Sequence, residues 1–141
     1  MRRGVTLLEL ALVLAITGLL FCIALPSLQR ATDGLAVHNA SLGIVSAHRR
    51  ARITAILQNR ALELTVSADS LAIRVPGAVS NLWHAPGPSA DGVALQGPPH
   101  TMIFSPVGLT MGVSNATFRL TRGSAAQTVV VSRLGRIRIT P

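Results

Sequence analysis

A single carboxylate, Glu9, stands inside residues 5–25, a run of 21 positions with no other charge. A carboxylate in a stretch suited to hydrocarbon costs on the order of 2.5–3.5 kcal/mol on insertion scales, so its presence points to a function. Gly4 lies five positions before it, behind Arg2 and Arg3. The chemistry to be served is pairing: a carboxylate in a low-dielectric helix bundle needs a cationic partner. Near the other end, Gly135-Arg136-Ile137-Arg138 alternates charge with apolar bulk. On a strand, successive side chains take opposite faces, which sends Arg136 and Arg138 outward, roughly 6.6 Å apart, and Ile137 and Ile139 toward a core. That separation is about twice the roughly 3.4 Å rise per nucleotide of one DNA strand, so neighbouring phosphates are in reach. Arg133 extends the patch, and Arg119 and Arg122 are candidates to widen it. The same alternation is also what any amphipathic last strand shows.

Other chemistries find little support. The histidines at 38, 48, 84 and 100 have no metal-ligand spacing with one another, with a cysteine or with a carboxylate. Cys22 is the only cysteine, so neither an intrachain disulfide nor a thiolate metal site can form. No glycine-rich phosphate loop precedes a helix, and no serine sits in a nucleophile elbow. Neither an enzyme nor a cofactor is expected. Base stacking is also disfavoured, because the chain has one Trp, three Phe and no Tyr.

The elements that must carry these residues follow from patterning. The 141 residues suffice for one small domain and a membrane segment. All 13 basic residues are Arg, against five acids. From Arg30 onward 11 Arg face four acids, a net +7 that fits an anionic partner as well as plain solubility. The apolar run spans roughly 31 Å as a helix, the thickness of a bilayer's hydrocarbon core. Arg2 and Arg3 favour a cytoplasmic N-terminus, which puts the rest across the membrane. The run is longer than a secretory signal's apolar core. Phe21 before Cys22 is wrong for a lipoprotein cut, and a plain anchor leaves Glu9 unexplained.

Pro26 lacks an amide donor and is expected to kink the helix, and Asp33-Gly34 to loosen it. Leu35, Leu42, Val45, Ile53 and Ile56 recur as an apolar stripe, so one helix is expected over residues 5 to about 58. Arg49, Arg50 and Arg52 lie mostly off that stripe, and with Arg60 they are read as cations complementing the helix C-terminus, ahead of a nucleic-acid role. Period-two patterns predict strands over 62–67, 71–75, 101–104, 116–121, 128–132 and 136–140. Residues 84–100 hold four of the eight prolines and three glycines and read as a surface loop. The expected fold is α+β, with antiparallel sheets covering the long helix.

The stretch Arg3-Gly4-Val5-Thr6-Leu7-Leu8-Glu9-Leu10 resembles the type IV prepilin cleavage motif. Val5 stands where the family usually has Phe. The resemblance implies that a membrane peptidase cuts after Gly4 and methylates the new amine of Val5. It also implies that Glu9 pairs with the amine of a neighbouring subunit, and that Pro26 is the helix-kinking proline. His48–Ile56, Ile103–Gly108 and Val129–Arg138 are similar to the GspH/FimT group of minor pilins and pseudopilins. The implied organisation is a leader at 1–4, a membrane and assembly helix at 5–28, an amphipathic helix at 29–59 and a β-rich domain at 60–141. The implied partners are the prepilin peptidase/methyltransferase, other pilins through the N-terminal helix, and the membrane. The implied setting is the bacterial inner membrane with a periplasmic domain, then a filament. GspH-like members serve type II secretion and FimT-like ones type IV pili, in some bacteria with DNA uptake. Some DNA-binding members carry Gly-Arg-any-Arg near the C-terminus, matching Gly135–Arg138. A membrane-anchored binding protein that never assembles is the remaining class, and it would keep residues 1–4.

Overall fold

The computed structural model describes residues 6–112 and 115–141. Gly4 and Val5 lie outside the described residues. The chain divides into two compact units, residues 1–32 and 33–141. The first helix, α1, is Leu7–Leu57. In the first unit α1 starts at a cap: the Glu9 N–H donates to Thr6 Oγ1 at 3.2 Å. A threonine three residues before a glutamate is the capping-box pattern, so the helix begins where the sequence specifies it. The expected loosening at Asp33-Gly34 does not occur, and helix is assigned through Pro26 and Gly34 alike. Pro26 removes one amide donor from the ladder. Gly34 costs roughly 1 kcal/mol relative to alanine, and the ion pair of the adjacent Asp33 with Arg122 offsets part of that.

The second unit holds the rest of α1 and, among the described residues, nine strands. They are β1 (Leu62–Val66), β2 (Ser70–Arg74), β3 (Asn81–Pro86), β4 (Ala94–Gln96), β5 (His100–Phe104), β6 (Thr110–Met111), β7 (Ala116–Arg122), β8 (Ala125–Val131) and β9 (Ile137–Thr140). They form antiparallel sheets of order β3-β2-β1-β5-β6 and β4-β7-β8-β9. Register brings like faces together. Leu62 and Leu64 pair with Phe104 and Met102, and Phe118 pairs with Val129, which pairs with Ile139. These side chains join one hydrophobic core. Strands β3, β4 and β6 were not expected. The segment 84–100 is not a free loop: it contains the end of β3, a 3-10 turn at Pro88–Asp91, and β4. It is pinned to the β1–β2 turn by Gly87 N–H to Asp69 O (3.0 Å), Ser89 N–H to Ala68 O (2.9 Å) and Ser89 Oγ to Asp69 Oδ1 (2.9 Å). Gly87 is required there, since a Cβ would collide with the backbone of Ala68 and Ser70.

The helix face that enters the core is not the expected stripe. Of that stripe only Val45 is buried, while Leu35 is 63% exposed and Ile53 is 55% exposed. The buried face is Val37, Ala40, Ser41, Ile44, Ala47, His48, Ala51 and Ala55. Spacings of three and four place these on one side of a helix. Alanines carry little apolar area, so they signal weakly in a sequence, yet Ala47, Ala51 and Ala55 are fully buried. Enlarging a filled site of this kind costs typically about 1–3 kcal/mol. Ala51→Leu is therefore expected to destabilise the protein by that amount in urea unfolding, and Ile53→Ala to change stability by no more than about 0.5 kcal/mol.

Candidate functional site

The β8–β9 turn is built by its own backbone. Ser132 N–H donates to Arg136 O at 2.8 Å, Gly135 N–H to Ser132 O at 2.9 Å, and Arg136 N–H to Ser132 Oγ at 3.1 Å. Gly135 has φ 71°, a left-handed conformation that glycine adopts without strain. Thr110 Oγ1 donates to Arg133 O at 2.8 Å and ties the turn to β6. Beyond the turn, Ile137 and Ile139 pack against the core while Arg136 and Arg138 are exposed, as the alternation predicts. Arg136 itself precedes β9 instead of lying within it.

This hairpin and the C-terminal part of α1 border a cleft of about 570 Å³. Arg136 and Arg138 line it from the hairpin, and Arg49 and Arg52 from the helix. Arg49 and Arg52 are one helical turn apart and share a face. Among the described residues, no acid lines the cleft. Acids of this unit are engaged elsewhere: Glu63 with Arg74 in an ion pair, and Asp33 Oδ1 with Arg122 Nε at 2.9 Å. Among the described residues, none of the four cleft arginines has an ion-pair partner.

His48 forms the buried part of the wall. It is 1% exposed, and neither ring nitrogen has a hydrogen-bond partner among the described residues. Its ring meets Phe104 edge-on at 5.0 Å. Burial, with smaller contributions from the charges of Arg52 and Arg49, lowers its pKa from 6.5 to about 4.

The structure thus gathers Arg136 and Arg138 and leaves Arg133 outside the cleft lining. Arg122 does not widen the patch, because Asp33 and the Asp91 carbonyl hold it. Arg50 stacks over Trp83 at 5.2 Å. The reading of the helix arginines as dipole partners is corrected: the last turn of α1 contains no basic residue. Dipole effects fade within one turn, so Arg49 and Arg52 are too early for that role. His48, Arg49 and Arg52 were missed as members of a site. The available signal was their spacing on one helix face, in a chain with a second arginine pair to meet them.

The other candidate, Glu9, is exposed near the start of α1 with the apolar residues around it, Leu7 to Leu28, also uncovered. An 18-residue window of this helix is long and apolar enough to cross a membrane. Among the described residues no group of three or more His, Cys, Asp or Glu side chains comes together as a metal site.

Known proteins can be set beside this geometry. Residues 42–135 match the family model described as type II transport protein GspH. The chain is 32% identical to the pilin-like protein PilA1 of Thermus thermophilus, over 98% of each chain. It resembles crystal structures of the type IV minor pilin FimU of Pseudomonas aeruginosa, known in two crystal forms. One has a TM-score of 0.61 at 19% identity, covering 74% of this chain and 88% of that one. The other has a TM-score of 0.57 at 18% identity, covering 74% and 92%. At such identities the likeness speaks to the fold alone.

The folded pKa of His48 lies below its unfolded value, so the unfolded chain binds the extra proton first on acidification. The associated stability is present above pH 6.5 and is lost progressively toward about pH 4. Between pH 6.5 and 5, above most carboxylate titrations, unfolding free energy is expected to fall by up to about 1.4 kcal/mol per pH unit. Urea titrations across that interval check this, and a flat profile contradicts it.

Proposed function

Because the chain belongs to the GspH family of type IV pilin-like proteins, we propose that it is a non-enzymatic minor pilin or pseudopilin of a type II secretion pseudopilus or a type IV pilus. The family and fold are those of structural subunits. The observation that carries the reading is the long apolar helix, left uncovered over Leu7–Leu28 and bearing one carboxylate in its first turn. In this scheme residues 1–4 are a leader, removed after Gly4 by the prepilin peptidase, and Val5 becomes the methylated N-terminus. Residues 5–28 anchor the chain in the inner membrane, with the domain on the periplasmic side, and later pack against neighbouring subunits. Residues 29–59 continue as the amphipathic helix, and 60–141 supply the β-rich domain. Pro26 bends the helix between these duties.

Glu9 has two separable duties. It occupies the third helical position of a capping box, a place that glutamine also fills. Its charge is left for the terminal amine of Val5 on the next subunit. Glu9→Gln keeps the cap and removes the charge. Leaving a buried amine without its counter-ion costs roughly 3–5 kcal/mol. Glu9→Gln is therefore expected to mature normally, as read by the mass of the processed chain, while its incorporation into filaments falls at least about tenfold. Normal incorporation would show that the charge is not the registering element.

The cleft favours a second reading within the same family: DNA binding through Arg136 and Arg138, with Arg133 at the margin. Four guanidiniums without a counter-charge among the described residues support it. Contacts of this kind are to phosphate, hence salt-sensitive and indifferent to sequence. Arg136→Gln with Arg138→Gln is expected to weaken duplex DNA binding by the detergent-solubilised chain. The log–log salt slope should drop by about 2, near one per lost phosphate contact. Unchanged affinity and slope would remove this reading.

A further inference from the structure

The cleft has a property that an outward row of arginines lacks. Two walls of it carry cations, Arg49 and Arg52 from α1 and Arg136 and Arg138 from the hairpin, and between them lies a buried imidazole with both nitrogens unpartnered among the described residues. Buried polar groups in folded proteins are nearly always hydrogen-bonded, and the imidazole beneath this wall is an exception that the arginine charges reach. The cavity, about 570 Å³, falls within the roughly 300–1,000 Å³ of small-molecule sites and exceeds the need of a bare oxyanion. Guanidinium forks match the geometry of phosphate oxygens. Val130 and Ile137 add apolar wall for a sugar, and among the described residues no Phe or Trp lines the cleft to stack a base.

We propose that the cleft is a phosphate pocket for one nucleotide unit of a nucleic-acid strand, with Arg49 and Arg52 opposite Arg136 and Arg138 and His48 at its buried wall. The proposal rests on the DNA reading above and deepens it, moving the principal contacts from an exposed strand to a cavity shared with the helix. Proton uptake follows from the same geometry. Arg52 and Arg49 on its own helix act on His48 by charge, the Phe104 ring on β5 meets it edge-on, and Arg136, Arg138 and the neutral Ser132 line the same cleft from the hairpin side. Among the described residues no carboxylate offsets these charges in the lining. A phosphate entering the cleft neutralises the arginines, so the imidazole holds a proton more firmly in the complex. By linkage, phosphate binds more tightly as the pH falls toward the free imidazole's range.

The test uses the full chain in detergent and a dye-labelled short thymidine oligonucleotide at fixed low ionic strength. Arg49→Gln with Arg52→Gln is expected to weaken binding about tenfold, as for loss of a charge-assisted contact. Binding is expected to be at least about threefold tighter near pH 5 than near pH 7.5. Histidine resonances of the unaltered chain should show the His48 titration moving upward when the oligonucleotide, or inorganic phosphate, is added. Unaltered affinity in the helix pair, with loss in Arg136→Gln/Arg138→Gln, overturns the pocket and keeps the DNA reading. Absence of binding to any DNA at low salt overturns both. A His48 titration that does not move overturns the proton linkage and its place in the pocket. If a soluble short-chain phosphatidylglycerol displaces the oligonucleotide at lower concentration than thymidine 5′-monophosphate does, the cleft belongs to lipid headgroups and the nucleotide assignment fails.

Discussion

Burial of the inner face of α1 in the core is the constraint on which the domain rests. Ala47, Ala51 and Ala55 are fully buried and share the core with strands from both sheets. A site packed around small side chains has no room for larger ones. That burial also holds Arg49 and Arg52, on the same helix, at the cleft bordered by the β8–β9 hairpin. It also explains how a domain without a disulfide holds together. Packing has to supply what a cross-link supplies elsewhere, and the largest buried side chains, Phe104, Ile44, Leu62 and Leu64, belong to the same cluster.

The same helix is asked to satisfy two different surroundings. Its first part is apolar on all sides, as expected for a segment that meets lipid or other helices instead of water. Its second part is amphipathic in an unusual sense, with the smaller apolar residues inside and Leu35, Leu42, Ile53 and Ile56 outside. A solvated helix rarely spends so many large aliphatic residues on its outer face. In a family of filament subunits that bulk is in keeping with contact to neighbours, and the alanines on the inner face leave it free for that purpose.

Much of this was legible in the residues, for identifiable reasons. The long N-terminal helix could be read because its apolar run carries a single charge and continues into a helical pattern. Six strands could be read because their alternation was strong, and each was found within a few residues of its expected place. The inward turn of Ile137 and Ile139 followed from the period alone. The helix stripe was misread because periodicity weights side-chain size, and the face that packs is the one with little of it. Strands β3, β4 and β6 were hidden for another reason. The first is mostly exposed, the second sits among prolines and glycines, and the third has two residues, so partner strands define them more than their own composition does. The cleft needed the fold itself, since nearly ninety positions separate Arg49 from Arg136.

The charges that line the cleft are all guanidiniums, in a chain that contains no lysine at all. Guanidinium stays protonated at any pH a cell or a buffer offers, so this field is fixed and does not fade in alkali. It also lies beyond the reach of acetylation and every other reaction directed at primary amines. A reagent that seeks amines therefore finds no side chain to modify in this sequence.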